Sequence, residues 1–265
     1  MKICFSTLGC VEYSLAQVVA LAKKFSAEGL EIRGLDGQMN NGKIACLQPE
    51  KATETKRILS ENGIKPTVLG TSCMFHNAEK YDAAIPEGKE CILSAQRLEI
   101  PYIRVFGNDL TEPHDACISR VCQGIASLCR FAADKQVTVL LEVHGGFNTV
   151  ESLSPVLERL QTYPNFGLIW DIAHSHRVYG TNWLPFYSKI RPFIRHVHVK
   201  DLSDANGKLT LPGDGDIPIL PILKRLTKDG FDGYFSLEWE RKWHPELPSI
   251  ESALAAMQRL TAHLM

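Results

Sequence analysis

The chain has 265 residues, 45% of them hydrophobic, with 29 basic and 30 acidic side chains and a net charge of -1. That balance leaves no basic excess to track a nucleic-acid backbone, and the apolar stretches are strand-length, far short of the roughly 20 residues a membrane helix needs. The 8 cysteines include no C-x-x-C pair, and Met1-Lys2 leads straight into ICFS without an apolar signal region; the expectation is reduced thiols in a cytoplasmic protein rather than a disulfide framework.

Apolar, β-branched runs alternate with helix-like stretches along the chain. The first strand is expected at KICFS (2–6), followed by a helix over 14–28 with Leu15, Val18, Val19, Leu21 and Ala22 on one face. Ser14 is its N-cap and Gly29 its stop. GLEIR (29–33) is the second strand, before a helix over 51–62; PTVLG (66–70) precedes a helix over 87–98. YIRVF (102–106) precedes one over 114–135, and TVLLE (138–142) one over 151–160. FGLIWD (166–171) is apolar on both faces until Asp171, and only a short helix with Pro185 inside it, 183–190, follows. IRHVHVK (194–200) leads to a helix over 218–229, and GYFSLE (233–238) to one over 248–263. Eight strands alternating with helices, without a linker, charge block or low-complexity tract, predict one (β/α)8 TIM barrel, an α/β fold spanning 1–265 as a single domain. An open doubly wound sheet would place G-x-G-x-x-G after its first strand, and none is there.

The C-terminal strand ends of a closed parallel barrel share one rim, where sites are built. The fifth strand ends on Glu142 and the sixth on Asp171; the seventh carries His196 and His198 two residues apart; the eighth ends on Glu238. Taken singly, each has a structural reading: a strand-end Glu pairs with a loop Arg, Asp171 caps the turn after it, one histidine is core. Taken together, three carboxylates repel, and a divalent cation is the simplest way to keep all of them ionised. A donor set of mostly oxygen suits Mn2+ first, then Mg2+ or Co2+, with Zn2+ open. Such an ion against three carboxylates would leave one negative charge.

Further candidates stand nearby. Glu31 and Arg33 end the second strand, paired with each other or facing substrate. Arg104 shares a face with Phe106. Lys200 could hold an anionic group or solvate a loop. His144 is a candidate donor behind the ligands, and His76 a rim residue. Phe75, Trp239 and Trp243 could stack on a sugar or simply pack. RKWHPE (241–246) brings Arg241 either to an anionic substrate group or to a surface turn. The connection DLSDANGKLTLPGDGD (201–216) is polar, contains glycine and is expected to be mobile.

The segments E-V-H-G, W-D-I-A-H, H-V-H-V-K-D and S-L-E-W-E, in that order at strand ends, resemble the xylose-isomerase-like barrel superfamily, or sugar phosphate isomerase/epimerase family. This group includes ketose 3-epimerases, hydroxypyruvate isomerase, inosose dehydratase, dehydroshikimate dehydratase and endonuclease IV. The resemblance extends to GLEIRG and YIRVFG, though the motifs from Glu142 to Glu238 are its specific part. It implies that Glu142, Asp171, His198 and Glu238 bind one divalent metal, with His198 preferred to His196 because the matching histidine precedes V-K-D. It also implies that His174, in D-x-x-H, contacts substrate oxygens. The expected chemistry is isomerisation or epimerisation of a sugar or sugar phosphate, by proton transfer beside a carbonyl through a metal-stabilised enediolate. Glu142 and Glu238 are its acid/base groups; His144, His174, Lys200 and Arg241 are substrate contacts. A metal-dependent dehydratase of a keto-polyol is the alternative. An endonuclease IV-like enzyme would need a ligand after strand four, where VFGN has none. A glycosidase would have no use for Asp171 and His198, and a non-catalytic barrel would leave a full ligand set idle. The expected partner is a small sugar or polyol, not nucleic acid or membrane, with a homo-oligomer left open.

Overall fold

The computed structural model describes residues 1–262. Its barrel strands are β1 (Lys2–Ser6), β2 (Gly29–Ile32), β3 (Lys65–Met74), β4 (Tyr102–Phe106), β5 (Thr138–Glu142), β6 (Phe166–Asp171), β7 (Ile194–Val199) and, after a small hairpin of β8 (Asp201–Leu202) and β9 (Leu209–Thr210), β10 (Tyr234–Leu237). They close in the order β1-β10-β7-β6-β5-β4-β3-β2, each parallel to its neighbours. The expected (β/α)8 barrel is therefore what the chain forms.

Local chemistry sets the helix bounds. α1 (Leu15–Lys24) begins as expected, with Ser14 and Gln17 capping each other reciprocally. It ends earlier than expected. Ser26 takes the left-handed backbone (φ 51°) that breaks the helix, and Gly29 already lies in β2. α2 (Ala52–Glu61) follows the expectation, but α3 (Ala78–Leu98) starts well before 87. Asn77 caps it by accepting from Glu79 N and Lys80 N, and Pro86 sits inside the helix instead of ahead of it. α4 (His114–Ala132) and α5 (Val150–Leu160) come next. Two helices, α6 (Ile172–Tyr179) and α7 (Leu184–Ile190), replace the one expected after β6. α8 (Ile219–Lys228) and α9 (Ile250–Thr261) complete the layer; the expected end of the last helix, at His263, lies outside the described residues.

The main core lies between sheet and helices and holds seven of the cysteines, while Cys4 is buried apart from it beside Thr67; all eight are free. A small second cluster, Val68, Leu140 and Ile169 with Tyr102 against it, fills the lower lumen. Because side chains alternate along a strand, the residue two positions beyond Leu140 is Glu142, and beyond Ile169 it is Asp171. The apolar floor thus passes directly into a charged upper layer.

The connection after β7 is not the free polar loop that its composition suggests. Asp201 is wholly buried, and its carboxylate accepts from the backbone N–H of Leu202, Gly213, Gly215 and Ile217 at 2.9, 2.8, 3.1 and 3.2 Å. A Cβ at Gly215 would fall 2.3 Å from Asp201 Oδ1, so this approach requires glycine. Among the described residues no helix is long and apolar enough to cross a membrane.

Candidate metal centre and substrate cleft

β5, β6, β7 and β10 are consecutive in the barrel, and register places Asp171 beside His198 and His198 beside Ser236. Glu142, Asp171, His198 and Glu238 accordingly meet at the rim, each offering one ligand atom within 4.8 Å of the others, and all four are buried. Two ligands about 2.0–2.2 Å from one ion lie at most about 4.4 Å apart, so a small contraction would close the set. His198 Nδ1 is 3.2 Å from Glu142 Oε1 and 3.4 Å from Glu238 Oε2. Asp171 fills both roles its position allowed. Its Oδ1 caps α6, accepting from Ala173 N and His174 N at 2.8 and 3.2 Å. Its Oδ2 faces the cluster, accepts no hydrogen bond and has Lys200 Nζ beside it at 2.8 Å, off the hydrogen-bond direction.

Two cations already neutralise part of this cluster, which the crowding of carboxylates alone did not foretell. Arg104 Nη1 lies 3.0 Å from Glu142 Oε2 and 3.6 Å from Glu238 Oε1, with its guanidinium 4.1 Å above the Phe106 ring. Lys200, buried rather than solvating a loop, donates to Glu238 Oε2 at 2.7 Å and also to Glu240. Four rim carboxylates, Glu142, Asp171, Glu238 and Glu240, outnumber these two cations, leaving negative charge that a divalent ion would balance once His198 gives up its Nδ1 proton to bind it. Burial opposes ionisation of Glu142 but is outweighed by Arg104 and His198, which hold its carboxyl down at about 2 despite Glu238 nearby. Burial likewise disfavours a charged His198; Glu238, Glu31 and Glu142 outweigh it and raise the imidazole well above its ordinary value.

Glu31 and Arg33 do not pair with each other. Glu31 points into the lumen and accepts from His196 Nε2, His198 Nε2 and Ser236 Oγ. Arg33 donates to Met39 O at 3.3 Å and Ser72 Oγ at 3.1 Å, and borders the cleft. Of the substrate contacts expected, His144, His174 and Lys200 come together. The His144 and His174 rings are 4.1 Å apart, and His144 packs edge-on to Phe106 at 5.2 Å. Burial pulls His174 down to about 4, leaving it a neutral imidazole. Arg241 is not brought in; its guanidinium turns to Glu12 Oε1 at 3.3 Å. His76 stands apart beside Asp109, and Phe75 packs against Tyr81. Trp239 is buried and donates to Pro248 O, whereas Trp243 is 55% exposed at the mouth.

A cleft of about 180 Å³ opens over Glu142 and Glu238, bordered by Arg33, Phe106, His144 and Trp243. A larger one, about 790 Å³, lies at the opposite end of the barrel near Lys65 and Tyr234, where no such ligand cluster converges among the described residues. Sequence reasoning left out Glu240, and it placed Arg104 on the face of Phe106 without pairing it to the rim carboxylates. The available signal was alternation: Arg104 faces inward two residues before Phe106, and Glu240 follows Glu238 by two.

The model of the xylose isomerase-like TIM barrel family matches residues 19–261. The chain belongs to that family. Inosose dehydratase of Yersinia enterocolitica is 29% identical over 143 residues, 46% of this chain and 47% of that protein. Fructoselysine 3-epimerase of Escherichia coli O157:H7 is 24% identical over 131 residues, 48% and 47% of the two chains. The chain thus matches about half the length of these curated relatives. Among solved structures, the IOLI protein with a bound zinc atom superposes at a TM-score of 0.81 and 20% identity, over 100% of this chain and 98% of that one. The probable 3-DHS dehydratase AsbF from Bacillus anthracis superposes at 0.78 and 19%, over 98% and 99%. At these identities the likeness of a xylose isomerase-like barrel to its structural neighbours shows the fold alone.

Proposed function

We propose that this protein is a divalent-metal-dependent enzyme that moves a proton at the carbon beside a carbonyl of a small sugar or sugar phosphate, and so interconverts isomers or epimers. The observation that carries the reading is the convergence of Glu142, Asp171, His198 and Glu238 within 4.8 Å at the C-terminal rim. The donor set, the excess of rim carboxylates over Arg104 and Lys200, and Asp171 Oδ2, which accepts no hydrogen bond, all fit one ion held by these four residues. Mn2+ suits three oxygens and one nitrogen best, and the zinc in the IOLI protein keeps Zn2+ open. When bound, the ion supplies Lewis acidity toward the substrate carbonyl.

The chain's own groups do the rest. Glu142 and Glu238 stand on strands separated by β6 and β7, so they approach the cleft from two sides. Arg104 beside Glu142, and Lys200 beside Glu238, keep the carboxylates ionised and able to take a proton. Neutral His174, with the His144 ring beside it, offers hydrogen bonds to hydroxyls. We expect Glu142→Gln and Glu238→Gln each to lower turnover by roughly 10²–10⁴-fold. Near-normal turnover in either would remove that residue from the chemistry.

A second reading, dehydration of a keto-polyol, is favoured by Lys200, an ammonium on the cleft wall 2.7 Å from Glu238 that would serve as proton donor to a departing hydroxyl. Inosose dehydratase among the relatives supports it equally. Ketoses and keto-polyols incubated with the Mn2+-loaded protein in deuterated water separate the two. Deuterium beside the carbonyl without loss of water supports epimerisation; a new ultraviolet-absorbing enone or diketone supports dehydration. Neither signal across the panel would contradict both.

A further inference from the structure

His198 faces carboxylates with both ring nitrogens. Its Nδ1 points at Glu142 and Glu238, while its Nε2 lies 3.0 Å from Glu31 Oε2. That same oxygen is 3.0 Å from His196 Nε2 and 3.1 Å from Ser236 Oγ, and all these groups are wholly buried. One carboxylate oxygen of Glu31 thus meets two ring nitrogens and a hydroxyl at hydrogen-bond distance. An ionised carboxylate only accepts hydrogen bonds, so each of the three neighbours must donate, and His198 Nε2 carries a proton. A neutral imidazole then has its one lone pair on Nδ1. That lone pair faces two carboxylates, so Nδ1 carries either a proton or a metal ion, and the ion takes the proton's place when it binds.

Resting on the metal reading above, we propose that Glu31 is a positioning residue: it fixes His198 as the Nε2–H tautomer, so that Nδ1 is the nitrogen that binds the divalent ion. His196 and Ser236 hold Glu31 in place by donating to the same oxygen. β2, which supplies no ligand, thereby sets the orientation of the ligand on β7. The rival is a second ion among Glu31, His196 and His198, whose ligand atoms also lie within 4.8 Å of one another. It would require His198 Nε2 to lose its proton.

Metal-stripped protein titrated with MnCl2 alone, by calorimetry, tests this. Wild type should bind one ion. Glu31→Gln, with unchanged far-ultraviolet circular dichroism, should bind about 10–100-fold more weakly, and Glu31→Asp should recover part of the loss. A Glu31→Gln variant that binds as tightly as wild type overturns the positioning role while leaving the metal reading intact. Wild type that binds no ion overturns the metal reading itself, and two ions per chain overturn the tautomer. If Glu31→Gln does not fold, long-range nitrogen–proton NMR spectra of the zinc-loaded wild type decide. A proton on His198 Nε2 with a metal-shifted Nδ1 supports the proposal; the reverse pattern overturns it.

Discussion

Asp171 divides one carboxylate between two tasks, and two substitutions separate them. Asparagine keeps an oxygen for the α6 cap, so Asp171→Asn should stay folded while losing the anionic Oδ2 that faces the cluster. Alanine loses the cap as well, and metal-free Asp171→Ala should be about 0.5–2 kcal/mol less stable than Asp171→Asn in urea unfolding. Both should fail to bind Mn2+ at concentrations that saturate wild type. Equal stability of the two variants would deny the cap; normal metal binding by Asp171→Asn would deny the ligand. At this scale the four ligands were legible because each ends a strand or sits within one at the inward parity. The carboxylate partners of Arg104 and Lys200 were not, because strand spacing sets the face of Arg104 and leaves Lys200 open between an anionic group and a solvated loop without naming what either meets. Only closure of the barrel shows that each is buried against carboxylates from other strands. Glu31 and Arg33 were open to pairing or to facing substrate, yet β2 ends between them, and one enters the lumen while the other turns to Met39 and Ser72.

Elements differ in how much of their boundary lies in their own residues. α1 announced its start through Ser14, to which the structure adds Gln17. The start of α3 was hidden because a proline normally precedes or ends a helix, whereas here Pro86 falls inside one that Asn77 had already begun. α6 was hidden because β6 passes into it without a loop, the last strand residue serving as the helix cap. The connection after β7 looked mobile from composition, yet a single buried aspartate orders it. Asp201→Ala would leave the N–H groups of Leu202, Gly213, Gly215 and Ile217 without their acceptor, a loss on the order of 2 kcal/mol or more. We expect faster limited proteolysis within 203–216 in this variant, alongside a lower midpoint in urea. Protease resistance equal to that of wild type would contradict the anchoring role.

Across the whole molecule, the barrel was the most legible feature. A parallel sheet buried on both faces leaves contiguous apolar runs, and helical patterns between them leave room for crossovers. The placement of the thiols is a consequence that a solution experiment can read. All eight cysteines are buried; burial pushes Cys10 and Cys129 up to about 12, and Cys46 and Cys91 to about 11. The thiolate is the reactive form, so a thiol reagent at neutral pH should label almost none of them in the native protein and all eight after denaturation. Rapid labelling of the folded protein would mean that the helix layer opens readily.

The central claim is that the rim carboxylates and His198 gather around one divalent ion, and anomalous diffraction from crystals soaked in MnCl2 tests it most directly. The account predicts one manganese peak per chain, within bonding distance of Glu142, Asp171, His198 and Glu238. A peak elsewhere, or none, with Arg104 and Lys200 alone holding those carboxylates together, would contradict it.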